Sequence, residues 1–115
     1  MVSTEQLKAE IRVQAWLRRC AVNGLMATVA RKGDRESGAL FLKINGFARG
    51  CIVYSGISTP SGQESWYKAT GPDPVAEKDA DAYLSRQATY DADLWVVEIE
   101  DPKGLFKMDA PAVGV

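Results

Sequence analysis

The sequence predicts an α+β domain in which two helices pack on one face of an antiparallel sheet of four to five strands. Apolar residues recur with a helical period in two segments and alternate in five others. The segments follow the order α-β-β-β-β-α-β. Short, glycine-rich connections join the first four strands, which favours an antiparallel meander because a parallel crossover needs about a dozen residues. A length of 115 residues fits a single domain.

The first helix is predicted to begin at Ser3, which forms a capping box with Gln6. Trp16 and Cys20 lie one helical turn apart and indicate its buried face. Residues 11–15 also alternate, so a short strand before a shorter helix is an alternative for this segment.

Four strands are predicted at residues 25–30, 40–44, 51–57 and 65–70. The first is apolar on both sides, which is typical of a strand that is buried on both faces. The fifth, at residues 94–100, starts apolar on both sides and ends alternating.

The second helix is predicted to follow Asp73 as its cap, with Pro74 at its first position. Residues 105–108 are a candidate additional edge strand. The domain is predicted to span residues 1–109, and residues 110–115 are expected to be a flexible C-terminal tail.

The composition excludes several classes of function. The chain contains no histidine, which removes the commonest general base and every Ser-His-Asp or Cys-His arrangement. Two cysteines cannot form a zinc site, so no catalytic residue, metal or cofactor is predicted. No signal peptide or bilayer-spanning run is found, which predicts a cytoplasmic protein without a membrane partner. Cys20 and Cys51 are then expected to be free, buried thiols.

Charge is distributed unevenly along the chain. The first 57 residues carry nine Lys and Arg and four Asp and Glu, whereas the other 58 carry five and eleven. The two halves either attract each other within one core or form a basic face that meets an anionic partner.

A glycine-rich loop between Gly33 and Gly38 raises the question of anion binding. It lacks the Lys-Ser or Lys-Thr of a phosphate-binding loop and leads into a strand, not a helix. We interpret it as a hairpin turn with glycines at positive φ.

Three groups of residues are candidates for a site. Basic residues of the first helix and first hairpin could bind a nucleotide or RNA. Trp66 and Tyr67 point to opposite faces of a strand, so one ring is exposed unless the sheet is covered on both sides. Glu98 and Glu100 share one strand face and could serve a metal-dependent enzyme, although such a pair is usually the solvated face of an edge strand.

Six motifs are considered together: Ala15-x-Leu17-Arg18-Arg19, Arg31-x-Gly33-Asp34, Ser37-Gly38-Ala39, Trp66-x-x-Ala69-Thr70-Gly71-Pro72, Tyr83-x-x-Arg86-Gln87 and Asp91-x-Asp93-Leu94-Trp95-Val96-Val97-Glu98-Ile99-Glu100-Asp101. In combination they resemble a small bacterial family catalogued as domain of unknown function 1491. The resemblance implies a bacterial cytoplasmic protein and carries over no catalytic residue. It directs attention to the polar members of these motifs.

We therefore predict a small non-enzymatic interaction or regulatory domain that binds a protein partner or itself, as a homodimer through a sheet face or edge. The alternatives are a nucleotide- or RNA-binding protein and a metal-dependent enzyme that uses Glu98 and Glu100. The candidate anion- or partner-binding residues are Arg19, Arg31, Lys32, Asp34, Arg35, Trp66, Tyr67, Arg86 and Asp93.

Overall fold

The computed structural model describes residues 8–58 and 64–108. The elements are α1 (Ala9–Val22), β1 (Met26–Arg31), β2 (Leu40–Asn45), a 3-10 turn (Phe47–Arg49), β3 (Cys51–Ser58), β4 (Glu64–Lys68), α2 (Glu77–Tyr90) and β5 (Trp95–Glu100). The α+β class and the predicted element order are confirmed. Neither described helix has the length and hydropathy that crossing a bilayer requires.

The five strands form one mixed sheet in the order β1-β5-β2-β3-β4. The predicted antiparallel pairing is confirmed for three of the four strand pairs, whereas β2 and β5 are parallel and the predicted four-strand meander was wrong. Only β2, β3 and β4 are consecutive neighbours. The last strand, β5, inserts between β1 and β2, antiparallel to the former and parallel to the latter.

Burial explains the central position of β5. Four of its six residues, Trp95, Val96, Val97 and Ile99, are buried, so the strand needs cover on both faces and a partner on both edges. Residues 32–39, which join β1 to β2, have to bridge two strand spacings, roughly 10 Å. A connection of this length can therefore pass over an intervening strand, and β1 is left at the edge of the sheet.

The two helices lie on opposite faces of the sheet, so their predicted placement on one face was wrong. Leu40, Leu42 and Ile44 of β2 share a core cluster with α1. The intervening residue Phe41 packs with α2 in a second cluster. Because β2 and β5 are both buried on two faces, one helical layer could not have covered them.

Residues 32–39, the crossing loop, run over the start of β5. Gly33 and Gly38 are needed for this close approach, because a Cβ atom at either position would lie within 2.1 Å of the carbonyl oxygen of Asp93. Neither glycine has a positive φ. The hairpin interpretation was therefore wrong in two respects. The loop joins strands that are not neighbours, and its glycines are required because no side chain fits against the Asp93 backbone, not because of a positive φ.

Several local predictions are also settled. Residues 11–15 are helical, which decides between the two alternatives. The cap of α2 is Ala76, and Val75 pairs with Cys51, so the predicted helix start at Asp73 and Pro74 was wrong. Residues 105–108 form no strand. The capping box at Ser3 and the tail at residues 110–115 lie outside the described residues.

Replacing either glycine of the crossing loop should destabilise the protein strongly. We expect Gly33→Ala and Gly38→Ala each to lower the free energy of unfolding by about 3 kcal/mol, because backbone would have to move on both sides of the contact. Chemical denaturation measures this difference.

Gly24→Asn is the matched control. Gly24 has a φ of 74° and no atom near its missing Cβ, and asparagine tolerates this conformation. Its cost should stay below about 1 kcal/mol. Equal effects of the Gly24 and Gly33 variants would contradict the steric explanation.

Candidate functional site

Two of the predicted motifs meet through hydrogen bonds made largely by backbone atoms, while Arg31, Asp34 and Asp93 are themselves exposed. The N–H of Asp34 donates to the carbonyl oxygen of Asp93 at 2.9 Å, and Nε1 of Trp95 donates to the carbonyl oxygen of Asp34 at 2.6 Å. Nη2 of Arg31 donates to the carbonyl oxygen of Ala92 at 3.1 Å. The structure thus brings Arg31, Asp34 and Asp93 together, and their contacts tie the crossing loop to the start of β5.

The crossing loop also closes on itself and on α1. The Asp34 carboxylate accepts the N–H groups of Ser37 at 2.9 Å and Glu36 at 3.0 Å, and these bonds lower the pKa of Asp34. The carbonyl oxygens of Arg35 and Glu36 accept the first two N–H groups of α1. The loop carbonyl groups therefore accept hydrogen bonds that the first N–H groups of α1 would otherwise lack. This arrangement supports a structural turn and not an anion-binding loop.

The candidate basic residues do not gather at one point. Arg35 pairs with Glu10 at the start of α1, with 3.2 Å between Nε and Oε1. Arg19 lies over the ring of Trp16 near the other end, about 13 Å along the helix axis from Glu10. Lys32 is exposed on the crossing loop. Nucleotide or RNA binding through these residues stays a prediction.

The aromatic pair on β4 is divided between the two faces of the sheet. Trp66 is only 1% exposed and meets Trp16 edge-on, with 5.5 Å between ring centroids. Tyr67 is half-buried on the α2 side. There, burial together with the proximity of Tyr67 and a hydrogen bond to it raises the pKa of Tyr83. Arg86 lies exposed on α2. Because both faces of the sheet are covered, the Trp66 ring is buried and is not available to contact a partner.

A buried lysine that sequence reasoning missed forms the densest charge cluster of the described residues. The Lys43 side chain is 5% exposed. Its Nζ lies 2.7 Å from Oε2 of Glu77, 2.7 Å from Oδ1 of Asp81 and 3.4 Å from Oε1 of Glu98. Three carboxylates surround one ammonium group, so the cluster carries net negative charge at the surface.

Asn45 extends this cluster to the neighbouring turn. Its Nδ2 donates to Glu77 at 3.2 Å and Glu98 at 3.1 Å, while its Oδ1 accepts the N–H of Phe47 at 2.8 Å. Phe47 is the non-glycine residue with a positive φ, 56°, among the described residues, and its ring is half exposed. The amide therefore supports a backbone conformation that phenylalanine rarely adopts.

The electrostatics of Lys43 favour a permanent cation. Burial acts to lower its pKa, but hydrogen bonds to Asp81 and Glu77 and the charge of Glu98 outweigh burial, and the pKa lies above the ordinary lysine range. A protonated amine is neither a nucleophile nor a general base. The cluster is therefore suited to holding α2 on the sheet and to presenting carboxylates.

Sequence reasoning missed this cluster because alternation places Lys43 opposite Leu40, Leu42 and Ile44 but does not show whether that face of the strand is covered. Phe41 on the same face was a sign that the face is covered. Glu77 and Asp81, spaced four residues apart on α2, were a second sign, because such residues project from one side of a helix.

The Glu98 carboxylate, which the alternative of a metal-dependent enzyme would use, accepts contacts from Lys43 and Asn45. Glu98 and Glu100 also lie on a central strand, so their interpretation as part of an edge strand was wrong. Within residues 8–58 and 64–108, no group of three or more Cys, Asp or Glu side chains is arranged to hold a metal ion. Metal-dependent catalysis stays a prediction without further support.

Removing the Lys43 ammonium group should lower the free energy of unfolding less than neutralising the three carboxylates around it. We expect Lys43→Met to lower the free energy of unfolding by roughly 1–2 kcal/mol, since two of the three carboxylates can hydrate. The triple variant Glu77→Gln, Asp81→Asn, Glu98→Gln strands a buried ammonium group and should cost about 3 kcal/mol or more. The reverse order in urea denaturation would contradict this interpretation.

The pH dependence provides a second measurement. Because folding raises the pKa of Lys43, its stabilising contribution is complete below the ordinary value of 10.5 and is lost as the pH rises above it. The difference in unfolding free energy between the unmodified protein and Lys43→Met should be constant from pH 7 to about 10 and then shrink. A constant difference up to about pH 11.5 would contradict the raised pKa.

Solved structures of similar chains share this architecture. The crystal structure of a DUF1491 family protein from Caulobacter crescentus CB15 is 36% identical, and the match covers 92% of this chain and 98% of that chain with a TM-score of 0.78. The NMR structure of a DUF1491 family protein from the same organism is 36% identical over 93% and 96% of the chains, with a TM-score of 0.76. A solution structure from A. tumefaciens is 28% identical over 84% and 86%, with a TM-score of 0.73.

No curated protein matches the chain. The family model described as a protein of unknown function, DUF1491, matches residues 7–108. This match spans most of the chain and includes the motifs that interlock at the crossing loop. The chain therefore belongs to the DUF1491 family.

Proposed function

We propose that this protein is a small non-enzymatic interaction domain of the cytoplasm that acts as a homodimer through the free edge of β1. The observation that carries the proposal is that β1 has the sequence of a buried strand but is largely exposed. The strand reads Met-Ala-Thr-Val-Ala-Arg, apolar on both sides, which is typical of a strand buried on both faces. Yet five of its six residues are exposed, including Met26 at 65% and Val29 at 39%.

The outer edge of β1 supports strand pairing. β5 occupies one edge of β1, and β1 ends the sheet, so its outward N–H and C=O groups face no other strand of the sheet. Edge strands are usually protected by charged side chains, but β1 carries none before Arg31. The opposite edge strand, β4, ends in the charged residue Lys68.

Self-pairing fits the symmetry of a dimer. When two copies of an edge strand pair antiparallel about a two-fold axis, one residue lies opposite its own copy, since opposed residues share a face. The pairing of β1 with β5 is regular from Met26 to Val29 and shifts register between Val29 and Arg31. With Thr28 at the axis, Ala27 opposes Val29 within the regular part of the strand. No like charges face each other in this register, and apolar side chains of the two copies become cross-strand neighbours on the same face.

Two further observations support the class and setting. Cys20 and Cys51 are free and buried, as expected in a reducing compartment. The Lys43 amine is held protonated by its carboxylates, which favours a structural role for the densest charge cluster.

The proposal predicts a dimer that a single charge on β1 disrupts. Thr28→Lys or Thr28→Glu should raise the dimer dissociation constant about tenfold or more, because like charges meet near the two-fold axis. Mixing the two variants should restore association as a heterodimer. Size-exclusion chromatography with light scattering measures all three states.

Ala82→Lys on the exposed side of α2 is the control and should leave the dimer intact. A strict monomer for the unmodified protein throughout the micromolar range would refute self-association. A dimer that persists in both Thr28 variants would refute β1 as its interface.

A further inference from the structure

A groove of about 350 Å³ lies beside α2, on the face of the sheet that this helix covers. It is bounded by one side of α2 and by residues of β1, β2 and β5, all from a single copy of the chain. Buried Leu84 and Val96 and half-buried Ala88 give it an apolar lining. This volume and lining are typical of a small-molecule site, and we call the feature the α2 groove.

A β-bulge in β1 directs Arg31 into the α2 groove. Met26 to Val29 pair regularly with β5, but the register then shifts, so that Ala30 is the extra residue and Arg31 lies opposite Val96. In a regular strand Arg31 would point to the other face of the sheet, together with Val29. With the bulge, Ala30 and Arg31 both line the groove. Bulges at sheet edges often redirect a side chain in this way next to a site.

The guanidinium group of Arg31 forms the basic end of the α2 groove. Its Nη2 donates to the carbonyl oxygen of Ala92 at 3.1 Å, which holds the group near the residues that follow α2. Within residues 8–58 and 64–108, Arg31 forms no ion pair. A guanidinium group carries several N–H donors, so those not used by Ala92 can bind a carboxylate.

The other end of the α2 groove is acidic. Asp81 and Glu98 line it together with Lys43. The Asp81 carboxylate contacts Lys43 through Oδ1, and its side chain is 56% exposed. Because this cluster, with Glu77, has three carboxylates around one ammonium group, its net charge attracts a second ammonium group.

The two ends of the α2 groove are separated by its apolar lining. Asp81 and Ala88 are seven residues apart on α2, about 10 Å along the helix axis. The helix runs from the acidic end toward Ala92 and therefore toward Arg31. A ligand that fills the groove thus needs a cationic group and an anionic group at opposite ends of an apolar body.

We propose that the α2 groove binds a dipeptide with small apolar side chains, its amino terminus at Asp81 and Glu98 and its carboxylate at Arg31. An extended dipeptide spans about 7 Å, which leaves space for a hydrogen bond at each end. The hydroxyl of Ser85, which also lines the groove, is placed to bind the central amide. A free amino acid carries its two charges side by side and cannot reach both ends.

Alanyl-valine is the probe, and each of its charges is removed in turn. In ¹H–¹⁵N spectra of the full chain, it should cause saturable shifts at the backbone N–H groups of Arg31, Ser85 and Ala88. N-acetyl-alanyl-valine lacks the ammonium group and alanyl-valinamide lacks the carboxylate. Each should bind about tenfold more weakly, because one charge-assisted hydrogen bond is lost. Free valine should bind more weakly still.

Two variants assign the ends of the dipeptide. Arg31→Gln should weaken alanyl-valine about tenfold but leave the affinity for alanyl-valinamide unchanged, and Asp81→Asn should do the same for the N-acetyl compound. Lys32→Gln and Asp79→Asn are the matched controls, because they remove the same charges from neighbouring exposed positions outside the groove. Both controls should bind alanyl-valine normally.

Three results would overturn the proposal. One is the absence of saturable shifts at tens of millimolar alanyl-valine, and another is a set of shifts that maps away from the α2 groove. The third is an equal loss of affinity for alanyl-valine and alanyl-valinamide in Arg31→Gln, which would mean that Arg31 supports the fold and does not bind the carboxylate.

Discussion

The insertion of β5 between β1 and β2 is the constraint on which the rest of the structure depends. It turns an apparent meander into a mixed sheet and makes the crossing loop pass over the start of β5. That passage explains Gly33 and Gly38, which approach the Asp93 backbone too closely for any side chain. It also explains why Asp34 and Trp95, far apart in sequence, hydrogen bond to each other. The motifs that resemble the family thus lie where two segments that are distant in sequence contact each other.

The same insertion determines how the two faces of the sheet are used. A central strand that is apolar on both sides needs cover from both directions, so α1 and α2 lie on opposite faces. The cover brought by α2 includes Glu77 and Asp81, whose carboxylates offset the burial of Lys43. The insertion also leaves β1 at an edge, where its apolar side chains are exposed. The proposed dimer is therefore a consequence of the strand order.

Less of the candidate site than of the fold could be predicted from the sequence. Arg31, Asp34 and Asp93 were recognised from motifs, and the structure brings them together as a network that joins loop to strand. Lys43 was missed because alternation alone cannot distinguish a solvated face from one that a distant helix covers. Such long-range contacts leave no periodic pattern in the sequence.

The sequence by itself determined the class, the order of the elements, the helical state of α2 and the family. These follow from local periodicity, turn residues and motifs, which act over a few residues along the chain. Only the tertiary structure decided the position of β5, the faces that the helices cover and the partners of Lys43. These depend on how each strand buries its apolar faces, and that free energy belongs to the assembled sheet and not to any one segment.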